Sequence, residues 1–252
     1  SILSIYGIAP QLLPIKETSS PRENNYISTY EYSNGLRFTS QSNAYLQISF
    51  ASASFTPQTF EMRFTPEWES STLVTSPSQW AIRIATHPTT SMVDYGRIEF
   101  VSGSATIATS SYFRLFADDA TNLVLRSQSS GITYDILQAD GDMLLLHLSG
   151  SIPLQSMWNN STNLYVGGSG SLSTIPYFAG VVDEIKVWGE PLTDTILETH
   201  AYDPSSYVGN TYTSSYSSLY NYLTFSIPTA SNSGSSVLIP NETPYESTSL
   251  VS

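Results

Sequence analysis

From position 35 onward the chain is a succession of short apolar runs separated by clusters of Ser, Thr, Asn, Gly and Pro. In "TFEMRFTP" (59–66), Phe60, Met62 and Phe64 fall on one side of an extended chain while Glu61 and Arg63 fall on the other. That two-residue period is the mark of a strand with one dry and one wet face. "GLRF" (35–38), "AYLQISF" (44–50), "WAIRIAT" (80–86), "GRIEFV" (96–101) and "YFRLFA" (112–117) are similar in length and punctuation. So are "NLVLRS" (122–127), "ITYDIL" (132–137), "MLLLHLSG" (143–150), "NLYVGG" (163–168) and "GVVDEIKVW" (180–188). Eleven such segments without a long helical window predict an all-β, antiparallel two-sheet sandwich. Only "EPLTDTILETH" (190–200) reads as a helical turn or two, with Pro191 near its start.

The segment "GVVDEIKVW" poses the sharpest question. Strict alternation places Val182, Glu184, Lys186 and Trp188 on one face and Val181, Asp183, Ile185 and Val187 on the other. Three β-branched residues mark the second face as the core side. Asp183 then points inward, where a carboxylate needs turn N–H groups, a cation or a metal. Asp183 and Trp188 are read here as structural residues, with a calcium ligand as the alternative role for Asp183.

Composition changes the picture at the ends of the chain. Charged residues are only 12% of the whole, so solubility rests largely on hydroxyls and amides. Residues 203–252 hold 20 Ser or Thr, three acids and no base. Their tyrosines and "YLTFSI" (222–227) still supply enough apolar surface to form a strand or to pack on a neighbour. "ILSIYGIAPQLLPI" near the start is apolar and broken by proline, like a segment lying over another surface. The expected organisation is an N-terminal arm (1–30), a sandwich (31–202), and a Ser/Thr/Tyr-rich arm or the start of a next module (203–252). Nine basic residues against 21 acidic give a net charge of -12, which argues against nucleic acid and anionic membrane surfaces as partners. No apolar run approaches the roughly 20 residues that span a bilayer. With no cysteine, disulfides and thiolate metal sites are excluded.

"YFAGVVDEIKVWGEPLTDTIL" (177–197) resembles the closing signature of the concanavalin A-like jelly rolls, in particular the laminin G-like domains. The shared pattern is an aromatic, Gly, a hydrophobic pair, Asp-Glu, alternating apolar residues, an aromatic and a short leucine-containing turn. "GLRFTSQSNAYLQIS" (35–49) with "FTPQTFEMRFTP" (55–66) resembles the family's opening strands, and "GDMLLLHLSGSIPL" (141–154) with "NLYVGG" its later ones. The resemblance covers roughly residues 30 to 202. It implies a jelly-roll sandwich, here carrying extended N- and C-terminal arms. "ITYDIL" stands where many relatives have Trp-x-His-Val.

A retaining glycosidase needs two carboxylates roughly 5 Å apart, and the Glu-x-Asp-x-(x)-Glu spacing that relatives use is absent from this sequence. Glu67 and Glu69 flank Trp68 in what reads as a turn. His87, His147 and His200 have no nucleophile elbow or zinc spacing near them. "GGSGS" (167–171) lacks the Lys and the following helix of a phosphate loop. Calcium is the one metal the residues leave open, through Asp118 and Asp119 in "ADDATN" and Asp140 and Asp142 in "ADGD". Both sequences are also ordinary turns. For a glycan, Trp158 beside Asn159 and Asn160 in "SMWNNSTN" offers a stacking ring next to amides, or else Trp158 caps the open end of the sandwich. Sequons stand at Asn159, Asn160 and Asn241.

The expected function is therefore a non-enzymatic structural and adhesive module of an extracellular assembly, such as a phage or virus particle or a surface appendage. Its partners would be other subunits met through uncharged arms. A carbohydrate-binding, lectin-like domain meeting cell-surface glycans is the alternative, and no cofactor beyond calcium is expected.

Overall fold

In the computed structural model, described over residues 35–41, 44–49, 56–67, 69–76, 79–154, 163–168, 176–225 and 242–243, the alternating segments become strands. In chain order they are β1 (Leu36–Thr39), β2 (Leu46–Ser49), β3 (Thr59–Pro66), β4 (Ser71–Ser76), β5 (Trp80–Thr86), β6 (Gly96–Ser102) and β7 (Ala105–Thr109). There follow β8 (Thr121–Gln128), β9 (Gly131–Asp140), β10 (Met143–Ile152), β11 (Asn163–Val166) and β12 (Ala179–Trp188). The helices α1 (Asp194–Tyr202) and α2 (Ser214–Ser217) then precede β13 (Leu219–Leu223).

Two sheets result. The larger runs β1-β12-β3-β8-β9-β10, with β13 also on β12, and the smaller runs β2-β11-β4-β5-β6-β7. All strand pairings in both are antiparallel. The chain changes sheet at β1–β2, β2–β3, β3–β4, β7–β8, β10–β11 and β11–β12, so this is the all-β jelly-roll sandwich expected from the sequence. The sheets face each other across one apolar core that includes Phe60, Met62, Phe64, Ile82, Ile84, Ile98, Leu123, Leu125, Ile136 and Val182.

The sequence reading misplaced some elements. "YFRLFA" is not a strand: Phe113 alone bridges to Gly96 and a turn follows. Its apolar run exists because Phe113, Leu115 and Phe116 are buried, a property that periodicity alone does not separate from strand pairing. β4, "STLVTS", gave no signal because it is buried at every position and so has no wet face to alternate with. β7 is a half-exposed edge strand of small residues.

The expected alternation of "GVVDEIKVW" fails for a definite reason. Val182 pairs with Phe64, but the next pairing is Ile185 with Met62, so Asp183 and Glu184 together oppose Arg63. This β-bulge reverses the phase of the strand. Val182, not Val181, joins Ile185 and Val187 in the core, and Asp183 does not share their face. Gly180 is required just before the bulge. Its φ is +144° and a Cβ there would lie 2.4 Å from the Thr65 carbonyl oxygen.

Nor is the other face of the larger sheet wet. A second apolar cluster of Val124, Leu137, Trp188, Leu192, Leu197, Ala201, Leu219 and Tyr222 covers it. Leu192, Leu197 and Ala201 supply part of this cover, and the described part of the segment from position 203 supplies the rest and one strand of the sheet. β1 pairs with residues 179–182 of β12, and β13 pairs with residues 185–188.

Candidate functional site

The outer face of the larger sheet gathers most of the buried charge. The exit from β12 is pinned first. Gln58 N–H donates to the Trp188 carbonyl (2.7 Å), the Thr59 hydroxyl donates to the Glu190 carbonyl (2.7 Å), and Leu192 N–H donates to that hydroxyl (3.0 Å). This turn directs α1 back over the sheet, starting later than the sequence implied, with Thr193 at its N-cap.

Under α1, Arg126 on β8 acts as an anchor. Its Nε and Nη2 donate to Asp135 Oδ2 (3.0 and 2.7 Å), and its Nη1 donates to the Leu192 carbonyl (2.9 Å) and to Asp194 Oδ1 (2.7 Å). Asp135, only 1% exposed, also meets His147 Nε2 through Oδ1 at 3.1 Å. His147 is thus a residue on the face of β10.

Between β3, β12 and α1 lies a second group lining a narrow cleft, together with Met62, Asn122 and Pro204. Glu61 Oε1 accepts from Trp188 Nε1 (2.6 Å), and Oε2 lies 2.9 Å from His200 Nδ1. His200 Nε2 lies 2.8 Å from the Val208 carbonyl, and its ring stacks on the Trp188 indole at 5.8 Å. Lys186 donates to the Pro204 carbonyl, pairs with Glu184 Oε2 at 3.3 Å and lies 5.3 Å over the Tyr222 ring. Arg63 Nε is 3.6 Å from Asp183 Oδ2.

These contacts set the acidities. Burial alone would raise the Glu61 carboxyl, but the charge and hydrogen bond of His200, with Lys186 and Trp188, hold it below the ordinary value. Burial pushes Glu184 up to about 7, with Asp183 adding to the rise and Lys186 opposing it. The two carboxylates therefore differ in kind. Glu61 is a fixed anion with both oxygens committed, whereas Glu184 is an acid that titrates near neutrality.

The residues singled out in the sequence fall in different places. Trp158, Asn159, Asn160, Asn241 and Trp68 lie outside the described residues. Glu67 is an exposed partner of Arg37 at 2.9 Å, in the turn between β3 and β4. Asp119 comes near Asp140: burial first, then Asp140 and Asp118, raise the Asp119 carboxyl against the pull of Arg114. Asp142 lies in the hairpin between β9 and β10. Among the described residues, no three His, Asp or Glu side chains are grouped so as to hold a metal ion. Asp183 faces Arg63, and Trp188 is fully buried in the second cluster. The sequence reading missed Glu61, His200 and Asp135. Glu61 stood on the expected wet face, and nothing local announced that residues 200–208 would return to cover it.

No family model matches the chain, and no curated protein matches it. The chain is similar to several solved structures. The CBM40 domain of the Ruminococcus gnavus IT-sialidase is 13% identical over 58% of this chain and 83% of its own, with a TM-score of 0.39. A heptameric SAP-like pentraxin from Limulus polyphemus is 10% identical over 62% of this chain and 72% of its own, with a TM-score of 0.39. Domains LG4-5 of the mouse laminin alpha1 chain are 13% identical over 57% of this chain and 38% of theirs, with a TM-score of 0.35. Identities this low leave ligand and activity to this chain's own residues.

Proposed function

We propose that the chain is a non-catalytic adhesive module of an extracellular assembly, making its contacts through the tyrosine-rich surface of residues 202–220. The observation that carries this reading is where exposed apolar area is concentrated. Of the eleven exposed large apolar side chains among the described residues, six lie between positions 202 and 220. Five of the six are tyrosines: Tyr202, Tyr207, Tyr212, Tyr216 and Tyr220, from 38% to 97% exposed. Tyrosine gives large contact area together with a polar tip, and aromatic residues are enriched where proteins meet while Lys, Glu and Asp are depleted. The buried carboxylates support the non-catalytic part. Glu61 and Asp135 are fully engaged by fixed internal donors, and Glu184 is paired with Lys186 beneath the covering segment.

Carbohydrate binding is the alternative, with the same rings as stacking platforms and Trp158, Asn159 and Asn160 as the further candidate contact. Three measurements on the intact chain separate the readings. Sedimentation against concentration should show association that Tyr207→Ala/Tyr212→Ala abolishes. A glycan-array signal lost in that variant or in Trp158→Ala, without self-association, would favour the lectin. Turnover of an aryl glycoside that disappears in Glu184→Gln would overturn both.

A further inference from the structure

The two margins of the larger sheet differ. One carries the short β1 and β13, of 4 and 5 residues, and the other is β10, of 10 residues. Among the described residues, no strand pairs with the far side of β10. Alternate N–H and C=O groups of such a strand point away from its neighbour and present a template for another chain. Proteins blunt a free edge by shortness, charge, proline or a bulge. β10, "MLLLHLSGSI", contains no Lys, Arg, Asp, Glu or Pro. Its one ionisable side chain, His147, is drawn back to Asp135 on β9. A register shift interrupts the ladder between Leu144 and Leu146, but from Leu146 to Ile152 the pairing with β9 is unbroken. Met143 and Leu145, at the interrupted end, are 57% and 47% exposed. The edge is thus protected at one end and bare along the rest.

The adjoining margin of the smaller sheet is also free of charge, since β7 reads "ATIAT". Tyr134 ties the two margins together. Its hydroxyl donates to the Thr109 carbonyl (3.2 Å), and its ring stacks on Phe100 at 4.8 Å. Gly150 makes room for it, because a Cβ there would lie 2.6 Å from the Tyr134 hydroxyl oxygen. The edge is therefore held in place before a partner arrives, which lowers the ordering cost of association.

The chemistry of the edge favours a copy of itself. An unrelated extended peptide would gain main-chain bonds there but little selection, because Ser149, Gly150 and Ser151 offer only small side chains. A second copy brings the same uncharged edge, and an antiparallel strand can meet itself across a two-fold axis. Centred on Ser149, that pairing sets Leu148 against Gly150 of the copy and His147 against Ser151, so no like charges are opposed. It also sends the two β9–β10 hairpins, with Asp140 and Asp142, to opposite ends. Parallel pairing would bring them side by side on chains of net charge -12 each.

We propose that the chain pairs with a second copy of itself through β10, antiparallel over Leu146–Ile152 about a two-fold axis at Ser149, joining the two larger sheets into one. The contact uses up the long free edge of each chain, so it closes at a dimer. It is made by main-chain groups of β10 and by none of the surface tyrosines, so it does not rest on the adhesive reading. The tyrosine-dependent association is then an association of dimers.

Because the chain has no cysteine, a single introduced one reports on its own copy. Ser149→Cys, mildly oxidised at micromolar concentration, should form disulfide dimers about tenfold faster or more than Thr90→Cys on the exposed β5–β6 loop, since opposed strand positions lie within disulfide reach. Sedimentation of the intact wild type should give a dimer. The variant Ser149→Lys/Ser151→Lys, at two exposed positions, should raise its dissociation constant about 100-fold by setting like charges across the axis. Outward N–H groups of residues 146–152 should exchange about tenfold or more slowly in the wild type than in that variant. A monomeric wild type, equal cross-linking at the two cysteine positions, or a dimer indifferent to the lysines would each overturn the proposal. Should the lysine variant fail to fold, wild-type sedimentation and the cysteine comparison still decide it. Tyr207→Ala/Tyr212→Ala should remain dimeric and lose only the growth beyond the dimer. Loss of the dimer in that variant would overturn the β10 pairing, whereas a wild type that never grows beyond a dimer would overturn only the adhesive reading.

Discussion

The two faces of the larger sheet are built from the same strands and are about equally buried, yet they are opposite in chemistry. On the inner face, Phe60, Met62, Phe64, Leu123, Leu125 and Ile136 meet the other sheet with apolar atoms alone. On the outer face, two residues or fewer away, Glu61, Arg126, Asp135, Glu184 and Lys186 are each below 9% exposed. The difference lies in what arrives from elsewhere in the chain. The inner face meets a second sheet, whose side chains need no direction. The outer face meets a helix and loops, whose carbonyls and side chains can be matched one by one by charged groups. Apolar burial is non-directional and scales with area, whereas a buried charge is tolerated only with its partners in place. The inner face should thus be sensitive to volume, the outer face to partner loss and pH.

The contrast can be broken from either side. Phe64→Ala on the inner face should cost about 3–5 kcal/mol in urea unfolding, since the cavity lies between two rigid layers. Arg126→Met on the outer face should cost about 3 kcal/mol or more, because Asp135 keeps its charge in a buried place. Replacing both Arg126 and Asp135 with apolar residues of similar volume should recover most of that loss. If the single and double variants were equally unstable, the outer face would be governed by packing, like the inner one.

Glu184 gives the next effect, and its sign is unusual for a carboxylate. Its folded value of about 7 lies above its ordinary 4.5, so the folded state binds the extra proton between those values. Stability from this group is therefore highest below about pH 4.5 and declines until about pH 7, by at most about 3 kcal/mol. Glu184→Gln should flatten that part of the unfolding free energy against pH. A slope that survives the substitution would assign it to another group. Glu61 works in the opposite direction, its contribution being lost as pH falls below the ordinary carboxylate range. The smallest effect is expected at the surface. Arg37→Ala removes the exposed pair with Glu67 and should change stability by less than about 1 kcal/mol, less still at high salt.

Most strands were legible because amphipathic alternation is a local consequence of a pleated chain with one dry side. "TFEMRFTP" and "WAIRIAT" match β3 and β5 residue for residue. Where both sides are dry, as in β4, or where burial occurs without pairing, as at Phe113, the same logic gives the wrong answer. The candidate site was far less legible. Glu61, Trp188 and His200 are separated by up to 139 positions, and none carries a local motif that names its partners. Asp183, Glu184 and Lys186 did stand out, but the bulge that sets their directions depends on Arg63 in another strand.

By itself the sequence determined that this protein is an all-β sandwich, poor in charge, closed by a short helix after "GVVDEIKVW". Those are properties of periodicity and composition, which act over a few residues. Only the tertiary structure decided that the segment after position 200 returns over the larger sheet. That return turns a face written as wet into one where each charge is matched. A carboxylate's character depends on its neighbours in space, and here those neighbours come from strands and a helix far apart in the chain.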